Sequence, residues 1–327
     1  MGLKIKKIKM NQLPTRIRGC NYINRIISFR STNMKHIIVI LLLGLSNIIL
    51  AQPPYELSTN IYRIPYLSST LMSVSRDHFT HTSTQGDVTG RYDLVGTGLG
   101  TGCTKYKLAA AAKGIVRRVV DNHNTNCGTD GCDDYNNYVW IEHANGEWTK
   151  YTHMKQYSAS QDAAIAVGDT VCAGTFLGYE CDIGFASGQH LHFEVRRPLN
   201  PATITISVKG GFMARADALH LIPVINSISK HYFDAGDSLT ASSSNACTNT
   251  NITVPSISMP DSTFKIYMAS TDILTNNNTV TFQNGSNGMF HAGNSITITP
   301  GFRASAGSYF HARIGNCAPA TTPGNCK

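Results

Sequence analysis

The sequence predicts an all-β protein, with an antiparallel β-sheet domain followed by a small β-rich repeat domain. Three observations predict it. Gly, Asn, Asp, Ser and Thr are abundant past residue 51, and no stretch sustains a helical apolar period beyond about two turns. Short alternating runs are separated by turn residues, with Asn145-Gly146 a tight hairpin signal between two of them. Towards the C-terminus, Phe233-Asp-Ala-Gly-Asp-Ser-Leu239 matches Phe290-His-Ala-Gly-Asn-Ser-Ile296 at five of seven positions when Leu and Ile count as equal.

Residues 1–51 read as a leader. They hold nine of the 28 Lys and Arg and no acidic residue, which leaves 19 basic against 20 acidic residues in the rest. The formal charge of +8 therefore belongs to the leader and gives no reason to expect nucleic acid. Met34, Lys35 and His36 precede an apolar run at 37–50 that is too short to span a bilayer and ends at Ala51. A basic head, a short apolar core and a small terminal residue describe a secretory signal peptide. The expected mature chain begins near Gln52, has no membrane partner after cleavage, and resides in the periplasm, on the surface or in the medium.

Residues 52–205 read as the first domain. Its strand candidates are 114–120, 137–143, 148–153, 175–179 and 190–195, with a turn or two of helix at 158–166. Residues 206–224 read as a linker and 225–327 as the repeat domain, where Gly307-Ser-Tyr-Phe-His-Ala312 adds a partial third copy. Eight cysteines follow the leader, an even number that suits an oxidising compartment. Cys127 with Cys132 and Cys172 with Cys181 are spaced for local loops. Cys247 with Cys317 or Cys326 would staple the repeat domain. Glu142 and His143 precede the Asn-Gly turn and read as exposed, whereas Trp140 and Trp148 read as buried strand aromatics.

The chemistry concentrates at 188–195, GQHLHFEV. Side chains alternate on a strand, so His190, His192 and Glu194 share one face and Leu191, Phe193 and Val195 the other. Two imidazoles on one face of an apolar-anchored strand suit metal binding. Upstream stand AAKGIV at 111–116, YVWIEH at 138–143, Tyr151-Thr-His153, VGDTV at 167–171 and AGTFLG at 173–178.

This order resembles the lysostaphin-like peptidoglycan endopeptidases, with their Tyr-x-His strand, glycine-bounded hairpin and final His-Leu-His-Phe-Glu. The resemblance implies a zinc metalloendopeptidase whose substrates are stem or cross-bridge peptides of the bacterial cell wall. It implies that Asp93 and His192 are zinc ligands and that His153 and His190 handle the attacking water and the oxyanion. One departure stands out. The family's first ligand is a His four residues before the Asp, and Thr89 occupies that place. His81 is expected to supply the missing nitrogen, with His78 in reserve. The alternatives are an inactive homologue that binds wall peptide or activates another lytic enzyme, and a surface adhesion protein carried by its C-terminal repeats. The segment SITITPGFRASAGSYFHARI resembles the three-coathanger stack of Bacteroidetes surface proteins and implies no chemistry.

Overall fold

Strands make up nearly all of the regular structure, and one of them organises the rest. The computed structural model describes residues 17–18, 56–82, 90–128, 130–214, 216–242, 247, 249–315 and 326–327. The expected signal peptide, Thr89, and the expected pairing of Cys247 with Cys317 lie outside the described residues. At the centre runs Leu191–Pro198, antiparallel to Tyr92–Thr97 on one side and to Trp148–Thr152 on the other. Tyr138–Glu142, Gly114–Val120 and Thr170–Val171 extend the sheet outward from Trp148–Thr152. Leu71–Arg76 extends it beyond Tyr92–Thr97.

Alternation along the central strand separates two environments. Leu191, Phe193 and Val195 enter a core with Leu94, Val139, Ile141 and Tyr151. Fully burying each such side chain contributes roughly 1.5–3 kcal/mol relative to leaving it exposed. The opposite face carries His190, His192, Glu194 and Arg196. Asn145-Gly146 turns the hairpin as its sequence requires, with Gly146 at φ 79°. The residue after the turn, Glu147, is buried and accepts hydrogen bonds from the Thr59 amide at 2.6 Å and the Tyr62 hydroxyl at 2.9 Å. It thereby docks the strand Glu56–Tyr62. Trp140 and Trp148 are buried. His143 is buried rather than exposed, because Thr149 Oγ1 and the Lys113 carbonyl bond its two ring nitrogens.

Residues 218–224, read from the sequence as linker, form a strand of this sheet together with Ile225. Ala218–Ile225 runs antiparallel to Leu191–Pro198 and parallel to Glu56–Tyr62. Apart from His220 its residues are apolar, and both of its faces are covered. Leu221 and Ile225 enter the first core, while Ile222 and Val224 pack with Leu57, Ile61, Ile266, Met268 and Met289 in a second. The first copy of the repeat also joins this sheet, through Ser238–Thr240 paired with Leu71–Arg76.

The C-terminal part winds parallel coils. Ile257–Met259, Val280–Phe282 and Phe302–Ala304 pair in parallel along one side, and Phe264–Leu274, Asn287–Ala292 and Tyr309–Ile314 along another. Phe282, Phe290, Phe302 and Phe310 stack between them. The register sets Phe290 beside Ala312 and Phe310 beside Gly288, so the Phe-His-Ala echoes are offset by two residues in space. Gly288 leaves room for the ring of Phe282, which a side chain there would strike.

The disulfides differ from the expected set. Cys127–Cys132 forms, but Cys181 pairs with Cys103 and Cys172 with Cys326. Cys172 and Cys181 flank the extended strand Phe176–Tyr179, which holds them apart. The Cys172 bridge returns the C-terminus to the first domain, where the Lys327 ammonium meets Asp169 at 2.7 Å.

Behind the histidines, on the same face, Glu194 is buried among cations. Lys150 Nζ and Arg91 Nε each lie 3.6 Å from its oxygens and Arg196 Nη1 lies at 3.7 Å. Burial pushes the Glu194 carboxyl up, and these three cations outweigh it and hold it below the usual 4.5. Burial also brings Lys150 down to about 7 against the opposing pull of Glu194.

Two expectations follow from this packing. A chain ending at Val208 should fail to show a cooperative thermal transition, since it lacks the strand that pairs with two others. A sharp melt of that fragment would show the first domain to be self-standing. Separately, the Glu194 carboxyl has a folded-state pKa below its unfolded value, so its stabilisation is complete above pH 4.5 and drains away as the pH falls below that. Glu194→Gln should cost about 3 kcal/mol at pH 7 by stranding buried cations. It should also flatten the acid limb of stability, measured by urea unfolding at stepped pH. An unchanged acid limb would refute the linkage.

Candidate metal centre

The site begins as a cross-strand pair. His192 on the central strand sits directly opposite Asp93 on Tyr92–Thr97, the closest spacing that a sheet offers two side chains. His192 Nδ1 lies 3.3 Å from Asp93 Oδ1. His190, two residues earlier on the same face, brings Nε2 to 3.4 Å from the same oxygen. Its Nδ1 donates to the Gly188 carbonyl at 2.8 Å, which fixes the ring and its tautomer.

His153 arrives by a different route. The sequence extends its strand to residue 153, which would place it on the face of Tyr151, inside the core. The strand ends at Thr152 instead, and His153 takes a left-handed backbone at φ 63°. This conformation, uncommon for a non-glycine residue, carries the ring to the face of His192. Ring centroids are then 4.7 Å from His190 and 5.8 Å from His192. His153 Nδ1 donates to the Ile183 carbonyl at 2.8 Å, leaving Nε2 as the unprotonated nitrogen.

His81 comes from a turn. Asp77 Oδ1 accepts hydrogen bonds from the Phe79 amide at 2.9 Å and the Thr80 amide at 2.8 Å, and the His81 amide donates to the Asp77 carbonyl at 2.9 Å. The turn delivers His81 Nε2 to 3.3 Å from Asp93 Oδ1, with its ring 4.9 Å from that of His192. His78 points elsewhere: its Nδ1 and the Tyr92 hydroxyl are hydrogen-bonded at 2.9 Å, and its ring packs on Phe79 and Phe264. The sequence singled out all five residues that the structure gathers. It missed Asp77, whose Asp-x-x-Thr spacing is the available capping signal. It also missed Phe212, whose ring lies 5.9 Å from His192 and 3.4 Å below Lys150 Nζ. No periodic pattern marks Phe212.

Burial sets the protonation states. It lowers His192 to about 3, aided by His81 and Arg91, and holds His153 well below the ordinary imidazole range, aided by His190 and His192. Both are therefore neutral near pH 7, the form that ligates a metal or accepts a proton. In His190, Asp93 overcomes burial and raises the pKa. Asp93 itself is pushed up by burial, and the ring nitrogens of His190, His192 and His81 facing its carboxylate hold it well below the usual carboxylate range.

Donor atoms of His81, Asp93 and His192 lie within 4.8 Å of one another, as do those of His153, His190 and His192. Asp93 Oδ1 is buried and finds no hydrogen bond of good geometry among the described residues, although three imidazole nitrogens face it. Two nitrogens and one carboxylate fit the donor set of a catalytic zinc. The first group suits it better because it contains the carboxylate that offsets the ion's charge.

Part of the chain is similar to known peptidases. Residues 97–204 match the model of peptidase family M23, a span that holds His153, His190 and His192 and begins after Asp93. The chain is 34% identical over 124 residues to DD-carboxypeptidase/endopeptidase Mpg of Neisseria meningitidis serogroup B, covering 34% of this chain and 27% of that protein. The homologue of the same name in Neisseria gonorrhoeae matches equally, so the chain spans about a quarter of the length of these relatives, 27% in each. Among solved structures, the lysostaphin catalytic domain of Staphylococcus simulans is 18% identical, covering 42% of this chain and 79% of that one at a TM-score of 0.25. The catalytic domain of EnpA from Enterococcus faecalis is 22% identical, covering 40% and 90% at a TM-score of 0.28. Over residues 97–204, about a third of its length, the chain is thus similar to peptidase family M23.

Proposed function

We propose that this protein is an exported zinc metalloendopeptidase that hydrolyses peptide cross-links of bacterial peptidoglycan. The observation that carries the reading is the convergence of His81, His190 and His192 on one buried oxygen of Asp93. The substrate class rests on the lysostaphin-like motif order and on relatives named DD-carboxypeptidase/endopeptidase. Export rests on the leader's composition and on the disulfide-bonded state of every described cysteine, which an oxidising compartment permits.

His81, Asp93 and His192 would hold the metal. Zinc there supplies a Lewis acid for the scissile carbonyl and brings the pKa of water near neutrality. His153 is oriented by its bond to Ile183, so Nε2 can accept the proton of the attacking water and return it to the leaving amine. His190, whose pKa Asp93 raises against burial, can in its protonated form hold Nδ1–H on Gly188 and still donate Nε2–H to the carbonyl oxygen as negative charge develops. The vacancy at the family's usual first-ligand position does not by itself argue for an inactive protein, because His81 lies within ligating reach.

Metal content and turnover separate these roles. Purified full chain should hold close to one zinc, and Asp93→Ala, His192→Ala or His81→Ala should lose it. His153→Ala and His190→Ala should keep the metal and cut release of peptides from purified peptidoglycan by roughly a hundredfold or more. Metal loss in both sets, or in neither, would mean the roles are misassigned.

A further inference from the structure

We infer that the segment following the M23 domain, Phe233–Leu239, is part of the metal centre, and that Asp77 and Ala235 are positioning residues for His81. The inference rests on the reading of His81 as a metal ligand.

The turn that carries His81 is built around a single carboxylate with two jobs. Asp77 Oδ1 gathers the amides of Phe79 and Thr80 and the Thr80 hydroxyl, the last at 2.8 Å. Thr80 Oγ1 in turn accepts the Asp77 amide at 2.8 Å, which closes the turn on itself. The other oxygen, Oδ2, accepts the amide of Ala235 at 3.0 Å, across 158 residues of chain. Asp77 is therefore clamped between the turn and the C-terminal segment. Backbone bonds hold that segment to the adjacent strand, Gly236 N–H to the Val74 carbonyl at 2.8 Å and Val74 N–H to the Asp237 carbonyl at 2.9 Å. Phe233 anchors it in the core and lies 5.7 Å from the ring of Tyr92, the neighbour of Asp93. Lys230 braces its far side through Asp234 and Asp237.

The chemistry explains why such a clamp matters here. Asp93 and His192 are fixed by sheet register, whereas His81 lies past the end of Leu71–Arg76 on a turn. A donor on an unanchored turn must be ordered when the metal binds, and that ordering weakens affinity. Residues that orient a ligand without touching the metal commonly change affinity by about 10–100-fold when altered.

Ala235 allows a narrow test. It is the second residue of a turn closed by Asp237 N–H to the Asp234 carbonyl at 3.0 Å, with Gly236 at φ 90° in the third position. Proline is common at the second position of such a turn, so Ala235→Pro deletes one N–H and keeps the turn. Asp77→Asn is the companion variant, which removes the charge and one acceptor. Zinc affinity of the full chain is measured by chelator competition, cobalt-substituted absorption spectra report the ligand field, and melting of the metal-free protein reports the fold. The expected result is zinc binding at least tenfold weaker in both variants, with a shifted cobalt spectrum and metal-free melting close to that of the unaltered chain. Affinity within about twofold of the unaltered chain would overturn the inference whatever happens to melting. Should His81→Ala bind zinc as well as the unaltered chain, the ligand assignment itself would fall, which distinguishes the two failures.

Discussion

The structure depends on burying the polar face of Leu191–Pro198. One face of this strand is apolar and enters the core, while the other presents His190, His192, Glu194 and Arg196 to a crowded interior. A buried charge must be paired or it is strongly destabilising. At the Glu194 end the requirement is met by Lys150, Arg91 and Arg196. At the Asp93 end the surroundings are three imidazoles and, 3.9 Å from the second carboxylate oxygen, the half-exposed Arg76. Two buried carboxylates on neighbouring strands thus receive different company, ammonium and guanidinium groups for one and mainly imidazoles for the other. The second is the arrangement a divalent cation completes.

The same strand ties the C-terminal part to the site. Its far end pairs with Ala218–Ile225, whose other face belongs to the core shared with the parallel coils. Apolar contacts on both sides of one strand make the two parts a continuous body rather than modules on a tether. The bridge from Cys172 to Cys326 closes the connection again at the far edge of the sheet. The coils therefore bear on the orientation of the peptidase sheet, in addition to whatever they contact in solution.

Most of the centre was legible because strand alternation is a simple rule. The face shared by His190 and His192, the apolar face opposite and the hairpin at Asn145-Gly146 all follow from a period of two and a glycine-tolerant turn. What escaped has equally definite causes. The strand at 218–225 was hidden because burial on both faces erases alternation, leaving a run that composition cannot distinguish from a linker. His153 reaches the site only through a left-handed residue, which no sequence pattern announces. The Cys103–Cys181 bridge joins segments 78 residues apart, and local spacing carries no information about such a pair.

If His81 is the third ligand, as proposed, the metal site has changed the address of one donor while keeping the other two. Asp93 and His192 are set by the hydrogen-bond register of two strands, which cannot slip by one residue without moving every side chain to the opposite face. The third donor is under no such constraint. It has only to bring one imidazole nitrogen to a point already defined by the other two, and a turn twelve residues upstream can do so because the chain's reach far exceeds the distance needed. Freedom of approach has a physical consequence, however. A strand residue is ordered by the sheet, whereas a turn residue must be ordered by its own contacts. In this chain those contacts run through Asp77 to the backbone of Ala235, past the end of the matched peptidase segment. On the proposed assignment, the order of the third donor therefore comes from a part of the chain outside the matched residues 97–204.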